Sequence, residues 1–241
     1  GLLRRQRQMC IRDRFKSWTI NDVFRHLHFW NKAVMVATEG DEAFATFFEG
    51  VGAHMMKGGS LPEYEKAYLD GLSGGALREA WASLVDETAD AYAALDPSSR
   101  VPWAGPSMSA RSAISARQME TWAHGQEVFD VLGADREEHD RIRNIVVLGI
   151  NTFGWTFKVR GETPPEPMPF VSLVSPGGEV WTYGESQQSN FIQGDAVEFA
   201  QVVTQTRNIG DTSLTVVGDP ATDWMSKACL LYTSPSPRDR S

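Results

Sequence analysis

The sequence predicts an α+β protein, with a helical bundle first and a small α/β module after it. Three observations predict this. Apolar residues recur at helical spacing from about residue 20 to 153, the period then changes to alternation, and the linker Thr163-Pro-Pro-Glu-Pro167 lies near the change. The expected division is a bundle over 15–154 and a module over 155–228, with no internal repeat.

The first helix is expected from about 20 to 38, because Thr19 is an N-cap residue with Asp22 at the capping-box position and Trp18 and Val23 form a hydrophobic staple. Phe44, Phe47, Phe48 and Val51 carry a second helix from Asp41 to Met56, ended by Lys57-Gly58-Gly59. Leu77, Trp81, Leu84, Val85, Ala89 and Tyr92 carry another over about 75–95, closed by Asp96-Pro97. A Pro/Gly/Ser-rich loop, 98–109, leads to a helix over about 110–132 that stops at Gly133, and a further helix is expected over 136–153. Thr156–Arg160 reads as strand-like. Phe170–Val174 and Glu179–Tyr183 flank Ser175-Pro-Gly-Gly178 as a hairpin, Gly194-Asp195 opens a helix to about Thr206, and Leu214–Val217 is a last strand.

Both ends are expected to be foreign to the fold. Residues 4–14 are the translation of a transposon sequencing adaptor ending ATG TGT ATA AGA GAC AG, and 229–234 translate its reverse complement in another frame. The segments 1–14 and 229–241 are therefore expected to be adaptor-derived tails, and Gly1 in place of Met fits a reading frame cut on its 5′ side. Removing their seven basic and two acidic side chains from the chain's 23 and 31 leaves 16 and 29, a net charge of −13 in place of −8. No basic patch then remains for a nucleic-acid backbone. Cys10 and Cys229 lie in the same tails, so the rest offers no disulfide, thiolate zinc ligand or cysteine nucleophile, as suits a cytoplasmic protein. No apolar run reaches the ~18–20 residues of a membrane span.

The residues with chemistry are few. Glu120 and His124 are four apart on the helix over 110–132, so both project from one face and can hold one metal ion. His26 falls among the apolar positions Val23, Leu27, Trp30 and Val34, where a third ligand would be buried. The plainer alternatives are a surface ion pair for Glu120 and His124 and a hydrogen-bonded core histidine for His26. Arg117 precedes Glu120 by one turn and can meet a substrate carboxylate or serve as an ion-pair partner, and the loop at Trp103 can border the pocket. His28 projects from another face of its helix than His26. His54 and His139 read as solvated or packing residues. Gly71-Leu-Ser-Gly-Gly75 lacks the preceding strand and following Lys-Ser/Thr of a phosphate loop, and Ser109, Ser112 and Ser115 lack a Gly-x-Ser-x-Gly turn.

Trp18-Thr-Ile-Asn-Asp-Val-Phe-Arg-His-Leu27 together with Met119-Glu-Thr-Trp-Ala-His-Gly-Gln126 resembles the metal-binding helices of the DinB-like superfamily, in particular the branch of mycothiol-dependent maleylpyruvate isomerase. The resemblance covers nearly all of 15–228, including the loop at Val101-Pro-Trp103. It implies a four-helix bundle in which His26, Glu120 and His124 bind a divalent metal, usually zinc. Such proteins carry a helix ahead of the Trp-Thr motif, so the first of the four is expected to be missing here, and their C-terminal module continues beyond Trp224. The function it implies is a metal-dependent transferase or isomerase in which mycothiol or a similar small thiol adds to an electrophile. A non-catalytic metal-binding regulatory module and a zinc-water hydrolase are the alternatives that the same three ligands allow.

Overall fold

A computed structural model describes residues 18–228 and 230. The expectation of adaptor-derived tails falls outside the described residues except at Leu230, which is buried and donates its backbone N–H to the Val203 carbonyl at 2.8 Å. The described residues fall into two compact units, one up to Thr121 and one from Trp122 onward.

The first unit is helical. Helix α1 (Ile20–Ala37) starts at the capping box, where Asp22 N–H donates to Thr19 Oγ1 at 3.2 Å and Thr19 N–H to Asp22 Oδ2 at 2.8 Å. It is buried on most of its circumference, as the central helix of a bundle must be. Gly40, at φ +111°, makes the turn into α2 (Asp41–Met56). Then comes α3 (Leu61–Tyr68), where Ser60 N–H donates to Glu63 Oε2 at 2.7 Å. Helix α4 (Gly74–Ala93) packs along α1, and its Tyr92 hydroxyl donates to the buried Val34 carbonyl at 2.9 Å. The loop after it holds a short antiparallel pair, β1 (Arg100–Val101) with β2 (Met108–Ser109), and leads into α5 (Ala110–Leu132). Phe29, Trp30, Val34, Phe44, Val51, Tyr92 and Ala113 belong to one apolar core.

The second unit contains the end of α5, a 3₁₀ turn at Asp140–Ile142, α6 (Arg143–Asn151) and α7 (Phe153–Lys158). A four-stranded sheet follows from β3 (Phe170–Val174), β4 (Val180–Tyr183), β5 (Phe191–Asp195) and β6 (Thr215–Val217), in the order β4-β3-β5-β6. Strands β3 and β4 form the expected hairpin, and β5 lies parallel to β3. Because β4 returns the chain to the start of β3, the short segment 184–190 suffices to begin a parallel neighbour. Helix α8 (Ala196–Val203) starts at Asp195, whose Oδ1 accepts from Val197 N–H at 2.7 Å, and α9 (Asp219–Lys227) completes the described fold. Val171, Leu173, Ile192, Phe199 and Trp224 are fully buried in this unit.

The α+β class stands: helices first, then a small module with strands. Two local expectations are corrected. Thr156–Arg160 is not a strand, since 153–158 is helical. Phe153, Thr156 and Phe157 share its buried side, with Phe153 4.9 Å edge-on to Trp224, and this burial overrides the β-propensity of Thr, Phe and Val. The helix expected from 136 begins later, because Arg136 is held outside any helix by Glu138 Oε1 at 2.7 Å, Gln126 Oε1 at 2.9 Å and the Trp122 carbonyl at 2.6 Å.

Candidate metal centre

Helix α5 turns an unusual face inward. Ala113, Arg117, Glu120 and His124, at spacings of four, three and four, are all buried, on a stripe that an ordinary bundle helix would fill with apolar residues. Helix α1 contributes His26, whose side chain is 14 % exposed. The structure brings the three expected residues together: His26, Glu120 and His124 each offer one ligand atom, and these atoms lie within 4.8 Å of one another. Bonds of ~2.1 Å at tetrahedral angles need donor separations of ~3.4 Å, so a contraction on the scale of side-chain adjustment closes the set. Two imidazoles and a carboxylate suit zinc and other first-row divalent ions, and the set therefore fits such a metal.

Each donor has a neighbour that orients it or balances its charge. His26 Nδ1 is 2.8 Å from Glu65 Oε1, which leaves Nε2 as the nitrogen available to a ligand. Glu65 itself is only 2 % exposed. The His26 ring packs against Trp18 and Trp30, with centroids 5.2 and 6.1 Å away. His124 Nδ1 lies 3.8 Å from Glu127 Oε1, beyond hydrogen-bond distance.

Arg117 is buried beside them. Its Nε donates to Asn31 Oδ1 at 3.0 Å, and its Nη2 reaches the Leu27 carbonyl at a long 3.5 Å. Burial pulls the guanidinium pKa down, while the carboxylates of Glu120 and Glu65, and Tyr92, push it back up. Arg117 thus provides the positive charge that two buried carboxylates need. The Tyr92 hydroxyl is pushed up to about 12 by burial, against the opposing pull of Arg117, and remains a neutral donor.

The remaining sequence candidates lie elsewhere. His28 is buried away from the cluster, and desolvation, helped by Lys32, lowers its pKa to about 4. His54 is 3.8 Å from Glu63, and His139 is half-exposed beside Glu137. Ser109 accepts the Ser112 N–H at 3.2 Å, so it caps α5. Trp103 packs at 5.4 Å against Trp30 with the rings tilted and belongs to the aromatic packing around Trp30. Sequence reasoning missed Glu65 and Asn31. Helix α3 was not expected, although Ser60-Leu-Pro-Glu63, two residues before Glu65, is a capping-box signal that could have found it; Asn31 has no motif around it.

Two Mycobacterium tuberculosis proteins, the uncharacterized protein MT0041 of strain CDC 1551 / Oshkosh and the uncharacterized protein Rv0036c of strain H37Rv, are each 30 % identical to the chain over 223 residues, covering 92 % of the chain and 85 % of the relative. The family model described as the mycothiol maleylpyruvate isomerase N-terminal domain matches residues 13–129. The chain belongs to this family. The family match takes in His26, Glu65, Arg117, Glu120 and His124. No solved structure is significantly similar to the chain.

Proposed function

We propose that the chain is a metal-dependent thiol transferase or isomerase of the mycothiol maleylpyruvate isomerase type, acting on a small electrophile. The observation that carries the proposal is the convergence of His26, Glu120 and His124, which come from two helices and are 98 residues apart at their extremes. Nothing local forces such a meeting. In this reading the three bind one divalent ion, with zinc the proposed metal. Three protein donors leave coordination positions for an exogenous ligand, as in catalytic rather than structural sites. A cation held there supplies the Lewis acidity that lets a coordinating thiol react as a thiolate at neutral pH.

The chain's own residues do the rest. Glu65 orients His26, and Asn31 holds Arg117, which is proposed to meet a carboxylate of the substrate one turn from Glu120. The only cysteines, Cys10 and Cys229, lie outside the described residues, so the reacting sulfur is assigned to a small-molecule thiol such as mycothiol. Among the described residues no helix is long and apolar enough to cross a membrane, and the chain carries a formal net charge of −8. The proposed partners are small molecules, in a cytoplasmic setting.

The test is metal analysis of the parent protein and of His124→Ala, with turnover of activated electrophiles measured with and without thiol. The parent is expected to hold about one zinc per chain and to be thiol-dependent, and the variant to hold none. Equal zinc in the two proteins overturns the assignment. Turnover that ignores thiol favours hydrolysis by the same centre.

A further inference from the structure

We infer that Glu65, on the short helix α3, is a positioning residue that locks the His26 imidazole in the tautomer and rotation needed to ligate metal through Nε2. The inference rests on the metal reading of the His26, Glu120 and His124 cluster.

Burial comes first. A carboxylate that is 2 % exposed has lost nearly all its water, and such a group persists in a folded protein only with specific partners. One partner is named by distance: Glu65 Oε1 stands 2.8 Å from His26 Nδ1. A second is electrostatic, since Glu65 acts on the buried Arg117 guanidinium together with Glu120. Helix α3 has its own capping box at Ser60 and Glu63, so the turn that presents Glu65 is defined independently of the site.

Tautomer chemistry follows. A neutral imidazole carries its proton on one nitrogen and a lone pair on the other. Facing a carboxylate at 2.8 Å, Nδ1 has to be the protonated nitrogen, because two lone pairs at that distance would repel. The lone pair is then on Nε2, the nitrogen on the far side of the ring. Carboxylate–histidine pairs of this kind fix ring orientation and raise ligand basicity, and loss of the outer partner typically weakens metal binding by ~10–100-fold. Glu65 therefore belongs to the centre although it is not one of the three converging donors.

The experiment uses the full chain with Glu65→Gln and Glu65→Ala. Gln keeps a carbonyl oxygen for the Nδ1 proton and is nearly isosteric, so it guards against simple misfolding. Zinc affinity is measured by chelator competition, and the His26 tautomer in metal-free protein by ¹⁵N-resolved imidazole spectra above pH 8. The parent and Glu65→Gln are expected to show Nδ1–H, while Glu65→Ala shifts toward Nε2–H. Affinity should fall ~10–100-fold in Glu65→Ala and by less in Glu65→Gln. An unchanged tautomer together with unchanged affinity in Glu65→Ala overturns the inference and leaves the metal reading intact. A parent that takes up no zinc overturns the metal reading instead, and the role of Glu65 toward metal falls with it.

Discussion

Between residues 25 and 124 the protein buries Arg25, His28, Glu65, Arg117, Glu120 and His124; among the described residues from Phe170 onward the buried polar ones are Ser175, Asn190, Thr204 and Thr206, none of them charged. The second group settles its polar atoms locally. Thr204 Oγ1 donates to the Ala200 carbonyl at 2.8 Å, and Asn190 Oδ1 accepts the Ala221 N–H at 3.1 Å. Around them Phe199 and Trp224 are fully buried, as a packed core requires. Burying apolar surface stabilises a fold, whereas burying charge costs free energy that pairing only partly returns. The helices around His26 therefore retain a costly arrangement, and the module with strands retains an inexpensive one. The difference teaches where to look for chemistry: in the part of the molecule whose buried groups do least for stability.

The largest expected effect breaks the comparison cleanly. His124→Ala should remove metal binding altogether, yet change far-UV helix signal little, because an open site contributes less to folding than a closed structural one. Trp224→Ala should do the reverse. The ring is fully buried and sits 4.9 Å from Phe153 and 5.8 Å from Phe199, so its loss is expected to cost about 3–5 kcal/mol of unfolding free energy with zinc stoichiometry kept. Urea unfolding and metal analysis on both variants read the two effects separately. Loss of zinc from folded Trp224→Ala would show that the two kinds of burial are not independent.

Legibility in the sequence followed the same divide, for physical reasons. Helices α1, α2 and α4 were readable because each has a long apolar stripe or a capping signature such as Thr19 with Asp22, and α5 because it lies between a Pro/Gly/Ser-rich loop and Gly133. The three converging donors were readable because Glu120 and His124 share a helix face and His26 interrupts an apolar one. Some short elements were not. Strand β5 is Phe-Ile-Gln-Gly-Asp, with Ile192 its single buried residue, and its place depends on pairing with β3 from elsewhere in the chain. Helix α3 offers eight residues and one buried polar side chain, so neither its existence nor the role of Glu65 shows in any periodic pattern. Thr156–Arg160 reads as a strand because five residues are too few for the helical period to appear.

A smaller effect concerns pH and sharpens the account of the helical unit. The His28 pKa is lowered from 6.5 to about 4 by desolvation, with Lys32 adding to it. The unfolded chain therefore takes up a proton first. The contribution of neutral His28 to stability is whole above about pH 6.5 and is lost as pH falls toward 4. In metal-free protein, His28→Gln is expected to flatten the fall of the urea midpoint between pH 6.5 and 4.5 relative to the parent. Parallel profiles for the two proteins would mean that His28 does not titrate differently on folding. The two proteins differ at this one side chain, so the difference between the profiles isolates His28.

The smallest effect asks whether the start of α1 matters to the centre or only to the helix. Thr19 Oγ1 accepts the Asp22 N–H and donates to Asp22 Oδ2 at 2.7 Å, and Asp22 accepts the Thr19 N–H and also pairs with Arg25 at 2.5 Å, so the first turn is closed by four linked contacts. Thr19→Ala removes two of them and should cost about 1 kcal/mol. For a chain of this size that is a fall in Tm of roughly 2–4 °C. His26 lies two turns further along and is held laterally, by Glu65 at 2.8 Å and by the ring of Trp30, with Trp18 from just before the cap on another side. Fraying at the cap is confined to the first turn, so zinc affinity should stay within about twofold of the parent. A tenfold loss of affinity with the expected small loss of Tm would show that His26 is positioned from the helix start rather than by its lateral contacts, and would move the source of order at the centre from Glu65 to Thr19.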